Sequence, residues 1–190
     1  MNQNKTIQQT ALLVMDMQVG ILGMVKDATA LITNVKTAIK NARAKKMPVL
    51  YITVTFRKNY PEISDRNVLF SGVKRGQMGS FTENDAITQI YPDLAPEPDD
   101  VKIYKRRISA FAGSDLEVIL RSLNIENIVL CGVATSGVVL STTREAADKD
   151  YKITVLSDCC ADSDQEVHKV LIEKILPAQA RVISVRDWIV

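Results

Sequence analysis

A three-layer α/β/α fold around a six-stranded, mainly parallel sheet is predicted by three observations. Six short β-rich runs alternate with helical patterns along the 190 residues. The cores of those runs, such as Leu12-Leu-Val-Met15 and Ile128-Val-Leu-Cys131, are apolar without interruption. Strands covered on both faces have that look, whereas a one-faced sheet would alternate. The segments between the runs are long enough to hold helices. Successive strands are then parallel, joined by right-handed crossovers with helices on both faces.

Taken in order, strands are expected at residues 11–16, 49–55, 101–104, 127–132, 153–157 and 181–185. Between the first two, Leu31, Val35, Ala38, Ile39 and Ala42 recur at helical spacing with Lys36, Lys40, Arg43 and Lys45 between them. That is one apolar stripe with a solvated face, ended by Met47-Pro48. Leu116, Ile119, Leu120 and Leu123 mark the helix before the fourth strand. Val167, Val170, Leu171 and Ile175 mark the one before the sixth, ended by Pro177. The exception is 57–84, long, polar and punctuated by Pro61, Gly72, Gly76 and Gly79. It leaves the carboxyl end of the second strand, where α/β folds gather their sites, and reads as an active-site loop. No linker or repeat divides the chain, so 1–190 is expected to be a single domain.

Composition narrows the function. Hydrophobic residues make up 46% and charged residues 24%, as in ordinary globular proteins. A net charge of +2 argues against nucleic-acid or membrane-surface partners. No apolar run approaches the roughly 20 residues of a membrane span. The polar start, Met1 to Thr10, lacks the apolar core of a signal peptide. An odd count of three cysteines fits a reducing, cytoplasmic setting. Cys131 reads as core, and Cys159 and Cys160 lack the spacing of a zinc site. His168, the single histidine, reads as structural or surface. No metal or cofactor is expected.

Three places could carry chemistry. Asp16 follows four large apolar residues, an unusual position for a surface charge, although capping a turn is the plain alternative. Lys105 closes the third strand within a Lys-Arg-Arg run that would by itself be a solvated patch. The strand ending at Cys131 enters Gly132-Val-Ala-Thr-Ser-Gly-Val138, a small-residue turn before a helix. Such corners expose main-chain N–H groups and nucleophiles. A nucleotide-binding fold would fit the alternation too. However, Asp16-Met-Gln-Val-Gly-Ile-Leu-Gly23 is not the Gly-x-Gly-x-x-Gly that phosphate cradling needs.

Together these segments resemble the isochorismatase-like hydrolases, or cysteine hydrolase superfamily, over nearly the whole chain. Asp16-Met-Gln18 resembles the motif of the catalytic aspartate. Lys105, four residues before Ser109-Ala-Phe111 and followed by Gly113, Ser114 and Leu116, matches that of the catalytic lysine. Gly132, Thr135, Val139, Thr142 and Ala146 match the nucleophile turn. The resemblance implies strand order 3-2-1-4-5-6 and a cis Val133–Ala134 bond. It further implies catalytic roles for Asp16 and Lys105, and an anion hole at the turn formed by Ala134, Thr135, Ser136 and Gly137, reaching Val138. Substrate contacts from Gln18, Arg57 and Phe111 and a homodimer or homotetramer are also expected. Arg75, Arg106 and Arg107 are further candidates to hold carboxylates.

The departures are equally specific. Val138 stands where most members carry cysteine, Glu145 where aspartate is common, and Thr143 where alanine is common. The metal-binding Asp/His pattern of the nicotinamidase branch is missing from the stretch Tyr51 to Arg57. A valine can neither ionise nor form an acyl intermediate, and Ser136 and Ser141 do not occupy the thiol's helical position. Two readings follow. The first is a hydrolase of a small anionic metabolite using Asp16 and Lys105 in acid–base chemistry without a covalent thiol. The second is a pseudoenzyme or small-molecule-binding protein that keeps the pocket. The first carries a tension: a proton-donating aspartate needs a raised pKa, which a nearby lysine opposes.

Overall fold

A computed structural model describes residues 9–188; the polar lead-in at 1–8 lies outside the described residues. In chain order the elements are β1 (Thr10–Met15), α1 (Val19–Leu22), α2 (Thr29–Ala44), β2 (Val49–Val54), α3 (Val68–Lys74), β3 (Val101–Lys105), α4 (Leu116–Ser122), β4 (Asn127–Val133), α5 (Leu140–Asp148), β5 (Lys152–Ala161), α6 (Gln165–Val170) and β6 (Arg181–Ile183). The sheet order is β3-β2-β1-β4-β5-β6, and every neighbouring pair is parallel.

The central strands β1, β2 and β4 are buried on both sides, which is why they read as continuous apolar runs. Along β1, Leu13 and Met15 enter one core while Leu12 and Val14 enter the other. The stripe predicted on α2 is the face that seals the second core: Leu31, Val35, Ala38, Ile39 and Ala42 are all buried there.

All six strands differ from the sequence reading at one end or both, most by a single residue. Lys105 belongs to β3 rather than following it, registered beside Val54. β5 does not stop at Ser157 but continues to Ala161, with a register shift opposite the end of β4. The half-buried Asp158 is accommodated inside that strand, where its carboxylate accepts the Val185 N–H at 2.7 Å. β6 ends at Ile183.

Residues 57–84 are not a bare loop. Asn67 caps α3 by accepting the Phe70 N–H at 3.0 Å. Phe56, Ile63, Phe70, Val73 and Phe81 form a separate small core against Val54, with the Phe56 and Phe70 rings edge-to-face at 5.3 Å. Those apolar residues are spread too thinly among polar ones to show a period. Their clustering at the carboxyl end of β2 builds one wall of the site.

Candidate active site

Asp16 is the residue at which β1 stops. Its N–H still donates to Ile52 O of β2 at 2.8 Å, but its φ of 53° turns the chain out of the sheet. Aspartate tolerates that left-handed region better than most residues. Lys105 ends β3, two strands away. Its side chain crosses the end of β2 to place Nζ 2.8 Å from Asp16 Oδ2 and also donates to Arg107 O at 2.9 Å. Both residues are buried, Asp16 at 5% and Lys105 at 1% exposure. Asp16 Oδ1 has no hydrogen-bond partner among the described residues. Burial lifts the Asp16 pKa above the usual carboxylate value, even though the Lys105 charge and hydrogen bond pull it down.

The third corner is the turn after β4. Gly132 (φ 144°) is imposed by close approach, since a Cβ there would lie 2.0 Å from Met15 O. The Val133–Ala134 peptide is cis. A wide π-type turn, Thr135–Val139, then feeds α5. Val138 is 2% exposed and packs into the core shared with Met15 and Ile52.

The hydrogen bonding of this turn corrects one expectation. The Ser136 N–H donates to Asp162 Oδ2 at 2.7 Å, and the Gly137 N–H to Ala134 O at 3.1 Å. Two of the main-chain donors expected to form an anion hole are therefore spent inside the protein. Thr135, fully buried, bonds through Oγ1 to His168 Nδ1 at 2.8 Å. Burial draws the His168 pKa down, against the Asp162 charge.

Asp16, Lys105, Ala134, Gly137 and Val138 line a cleft of about 180 Å³. The rest of its lining is apolar: Ile21 and Met24 after β1, Val54 and Phe56 at the end of β2, Leu69, Phe70, Val73, Met78 and Phe81 from 57–84, with Ile108 and Val133. Asp16 and Lys105 are its only charged residues among those described. An acid–base pair on the floor of an apolar cleft is the arrangement in which a carboxyl group can keep its proton and pass it on.

The chain as a whole matches a known family. The Isochorismatase domain model matches residues 10–187. The chain belongs to the isochorismatase family. It is 32% identical over 181 residues to the uncharacterized isochorismatase family protein YecD of Escherichia coli O157:H7, covering 94% of this chain and 93% of that one. It is also 32% identical to the ureidoacrylate amidohydrolase RutB of Pantoea ananatis, over 85% of this chain and 72% of RutB. In fold it resembles a cysteine hydrolase from Pseudomonas syringae pv. phaseolicola 1448A. That match has a TM-score of 0.88 and 24% identity, covering 96% and 92% of the two chains.

Not every residue expected at the site faces the cleft. Gln18 is fully buried and commits its amide to main chain: Nε2 donates to Thr88 O (2.7 Å) and Val54 O (3.1 Å), and Oε1 accepts the Val54 N–H (2.9 Å). It ties β2 to the residues after 57–84 instead of presenting a group to substrate. Arg57 points to solvent and pairs with Glu62 at 2.7 Å. Phe111 stacks on Tyr151 in the core, 5.9 Å between centroids. Arg106 is held by Thr55 O and Glu83, and Arg107 by Glu62 O. Arg75 is an exposed residue at the end of α3.

Cys131, Cys159 and Cys160 are buried outside the cleft, and burial raises all three thiols, Cys160 to about 12. Among the described residues no cluster of three His, Cys, Asp or Glu could hold a metal, and no helix is long and apolar enough to cross a membrane. Asp162 is the site-building residue that sequence reasoning missed. Its signal was present: like Asp16, it is a carboxylate directly following an apolar strand end, Cys159-Cys-Ala161.

Proposed function

We propose that the chain is a hydrolase of this family working without a nucleophilic thiol, with Asp16 as the acid–base group and Lys105 as its charge partner. The observation that carries the reading is the buried 2.8 Å Lys105–Asp16 contact in an apolar cleft whose third corner is Val138. Lys105 fixes Oδ2, while Oδ1, without a partner among the described residues, is the atom to carry a proton toward substrate. Burial, which raises the Asp16 pKa against the pull of Lys105, supports the acid role.

The chemistry this supports is hydrolysis of an activated C–O bond, as in a vinyl ether. Asp16 gives its proton to the terminal carbon, forming an oxocarbenium ion. Water adds to the cationic carbon and returns a proton to the carboxylate. The C–O bond of the resulting hemiketal then breaks, leaving a ketone and an alcohol. Once Asp16 is protonated, Lys105 is an unbalanced positive charge in an apolar cleft. A small substrate with an apolar body and one anionic group suits that state. The ureidoacrylate amidohydrolase activity of RutB makes amides the competing substrate class, with Asp16 then acting as base on water. Asp16→Asn and Val138→Ala, each assayed on a vinyl ether and an amide, test the proposal. Loss of turnover in the first and near-normal turnover in the second is expected; equal collapse of both, with folding intact, refutes it.

A second reading, binding without turnover, rests on Val138 itself: a branched apolar side chain fills the corner and packs into the core. A ligand that raises Tm yet is recovered unchanged would favour it.

A further inference from the structure

Of the Lys105-Arg106-Arg107 run, only Lys105 lines the cleft. Arg106 is rooted by a tight return of the chain. Its N–H donates to Ala112 O at 3.3 Å, and an added Cβ at Gly113 (φ 74°) would lie 3.0 Å from the Arg106 Cβ. From that root the side chain spans the neck of the 57–84 segment. The segment leaves the sheet after Phe56 and returns to it, since the Phe56 N–H donates to Phe81 O at 2.9 Å.

Arg106 holds both sides of that neck. Ahead of the segment, Nη1 donates to Thr55 O (2.5 Å) and Thr55 Oγ1 (2.6 Å). On the returning side Nη2 donates to Glu83 Oε1 at 2.6 Å, and on the outgoing side Nε lies 3.6 Å from Glu62 Oε1. All three guanidinium nitrogens are engaged, which leaves none for a substrate. The side chain is 14% exposed, so its ion pairs are screened less than surface ones. A planar fork can serve acceptors on three sides, whereas an ammonium is a single point. Among the described residues, every ion pair between 57–84 and the rest of the chain runs through Arg106.

The same segment supplies Leu69, Phe70, Val73, Met78 and Phe81 to the cleft wall. We propose that Arg106 is a positioning residue, clamping both ends of 57–84 to the end of β3 and so holding the apolar wall closed over Asp16 and Lys105. Burial is the largest influence on the Asp16 carboxyl, and Lys105 is the one charge that opposes it. A wall that loosens admits water and weakens the burial. The catalytic meaning of the clamp rests on Asp16 being the acid–base group, but its effect on the wall is measurable without turnover.

Backbone amide exchange and a ¹³C-carboxyl titration of Asp16, both on the whole protein, test the clamp. In Arg106→Met the amides of Phe56, at the neck, and Ser71, within the wall, should exchange about tenfold faster, the scale of one charge-assisted hydrogen bond. Those of Leu13 and Leu130 in the central strands should keep wild-type rates. Asp16 should titrate at lower pH than in wild type, a change that a general loss of stability would not produce. Arg106→Lys should recover part of both effects. Glu83 is on the surface, so Glu83→Gln folds whatever Arg106→Met does, and should loosen the wall in the same direction by less. Wild-type exchange at Phe56 and Ser71 in both Arg106→Met and Glu83→Gln, or an Asp16 titration that stays in place while the wall loosens, overturns the proposal. A lowered Asp16 titration in Arg106→Met, with no vinyl ether turnover by the wild type, keeps the clamp and removes the hydrolase reading.

Discussion

The Ser136 N–H reaches Asp162 Oδ2 at 2.7 Å, which anchors the turn carrying Val138 to the end of β5. An aspartate so placed does for a π-type turn what a side-chain cap does for a helix, satisfying a donor that would otherwise be stranded. Asp162→Ala leaves that donor unmatched and should cost about 1–3 kcal/mol in chemical denaturation. Burial opposes ionisation of Asp162, but hydrogen bonds from Ser136, Ser163 and Asp164 win and lower its pKa. A depressed folded-state pKa gives stability that is complete above the unfolded value, near 4, and fades as pH falls through the folded one. Wild type should lose stability across that acid window, and Asp162→Asn should lose less of it. Parallel pH–stability curves for the two proteins would contradict this.

For catalysis, the decisive contrast is between Asp16 and Val138. Removing a general acid lowers rates by about 10²–10⁴-fold, so Asp16→Asn should lose turnover on that scale. Val138→Ala removes two methyl groups from a packed corner and should cost about 2 kcal/mol of stability, while changing kcat only a few-fold. Thermal melts beside steady-state kinetics separate the two effects.

The pH profile distinguishes acid from base. If protonated Asp16 is the active form, turnover falls as pH rises through its raised pKa; if the carboxylate acts as base, turnover falls as pH drops. We expect the first. Lys105→Met removes the cation that holds the Asp16 pKa down and should move the limb to higher pH. Stability responds with matching sign. Asp16, raised in the folded state, stabilises most below the unfolded value near 4 and loses that contribution as pH rises toward its folded pKa. In Lys105→Met the loss above pH 4 should deepen, approaching the 3–5 kcal/mol typical of a broken buried pair. A limb that stays in place in the variant would remove Lys105 from the mechanism.

How much of this was legible varies by element. The continuous apolar runs gave the strands because both sheet faces are covered, and the α2 stripe gave its buried face residue by residue. Asp16 stood out as a charge closing an apolar strand, Lys105 only through its match to the family's lysine motif, and the sheet order brings them together across β2. What stayed hidden depends on partners distant in sequence. The Gln18 amide is consumed by Val54 and Thr88, the Ser136 N–H by Asp162, and the wall formed by Phe56, Phe70 and Phe81 has no period to read. Side-chain chemistry was visible at each position, but its availability was not, because main-chain groups up to 70 residues away had already claimed it.

The approach of β4 to β1 sets where Val138 stands relative to Asp16, and one atom tests it. At Gly132 an added Cβ would lie 2.0 Å from Met15 O and 2.8 Å from Met15 C. Both are backbone, and neither can move without shifting the strand that ends at Asp16. The φ of 144° is itself poor for any residue with a Cβ. Gly132→Ala should therefore lose more than about 4 kcal/mol, the range reserved for gross steric or strain defects. Gly23 provides the control: its φ is −61°, and an added Cβ would meet the Gly20 and Val19 carbonyls at no less than 3.4 Å. Gly23→Ala should stay within about 1 kcal/mol of wild type. Urea melts of the pair decide the point, since comparable losses in both would mean that Gly132 is not forced by the strand contact.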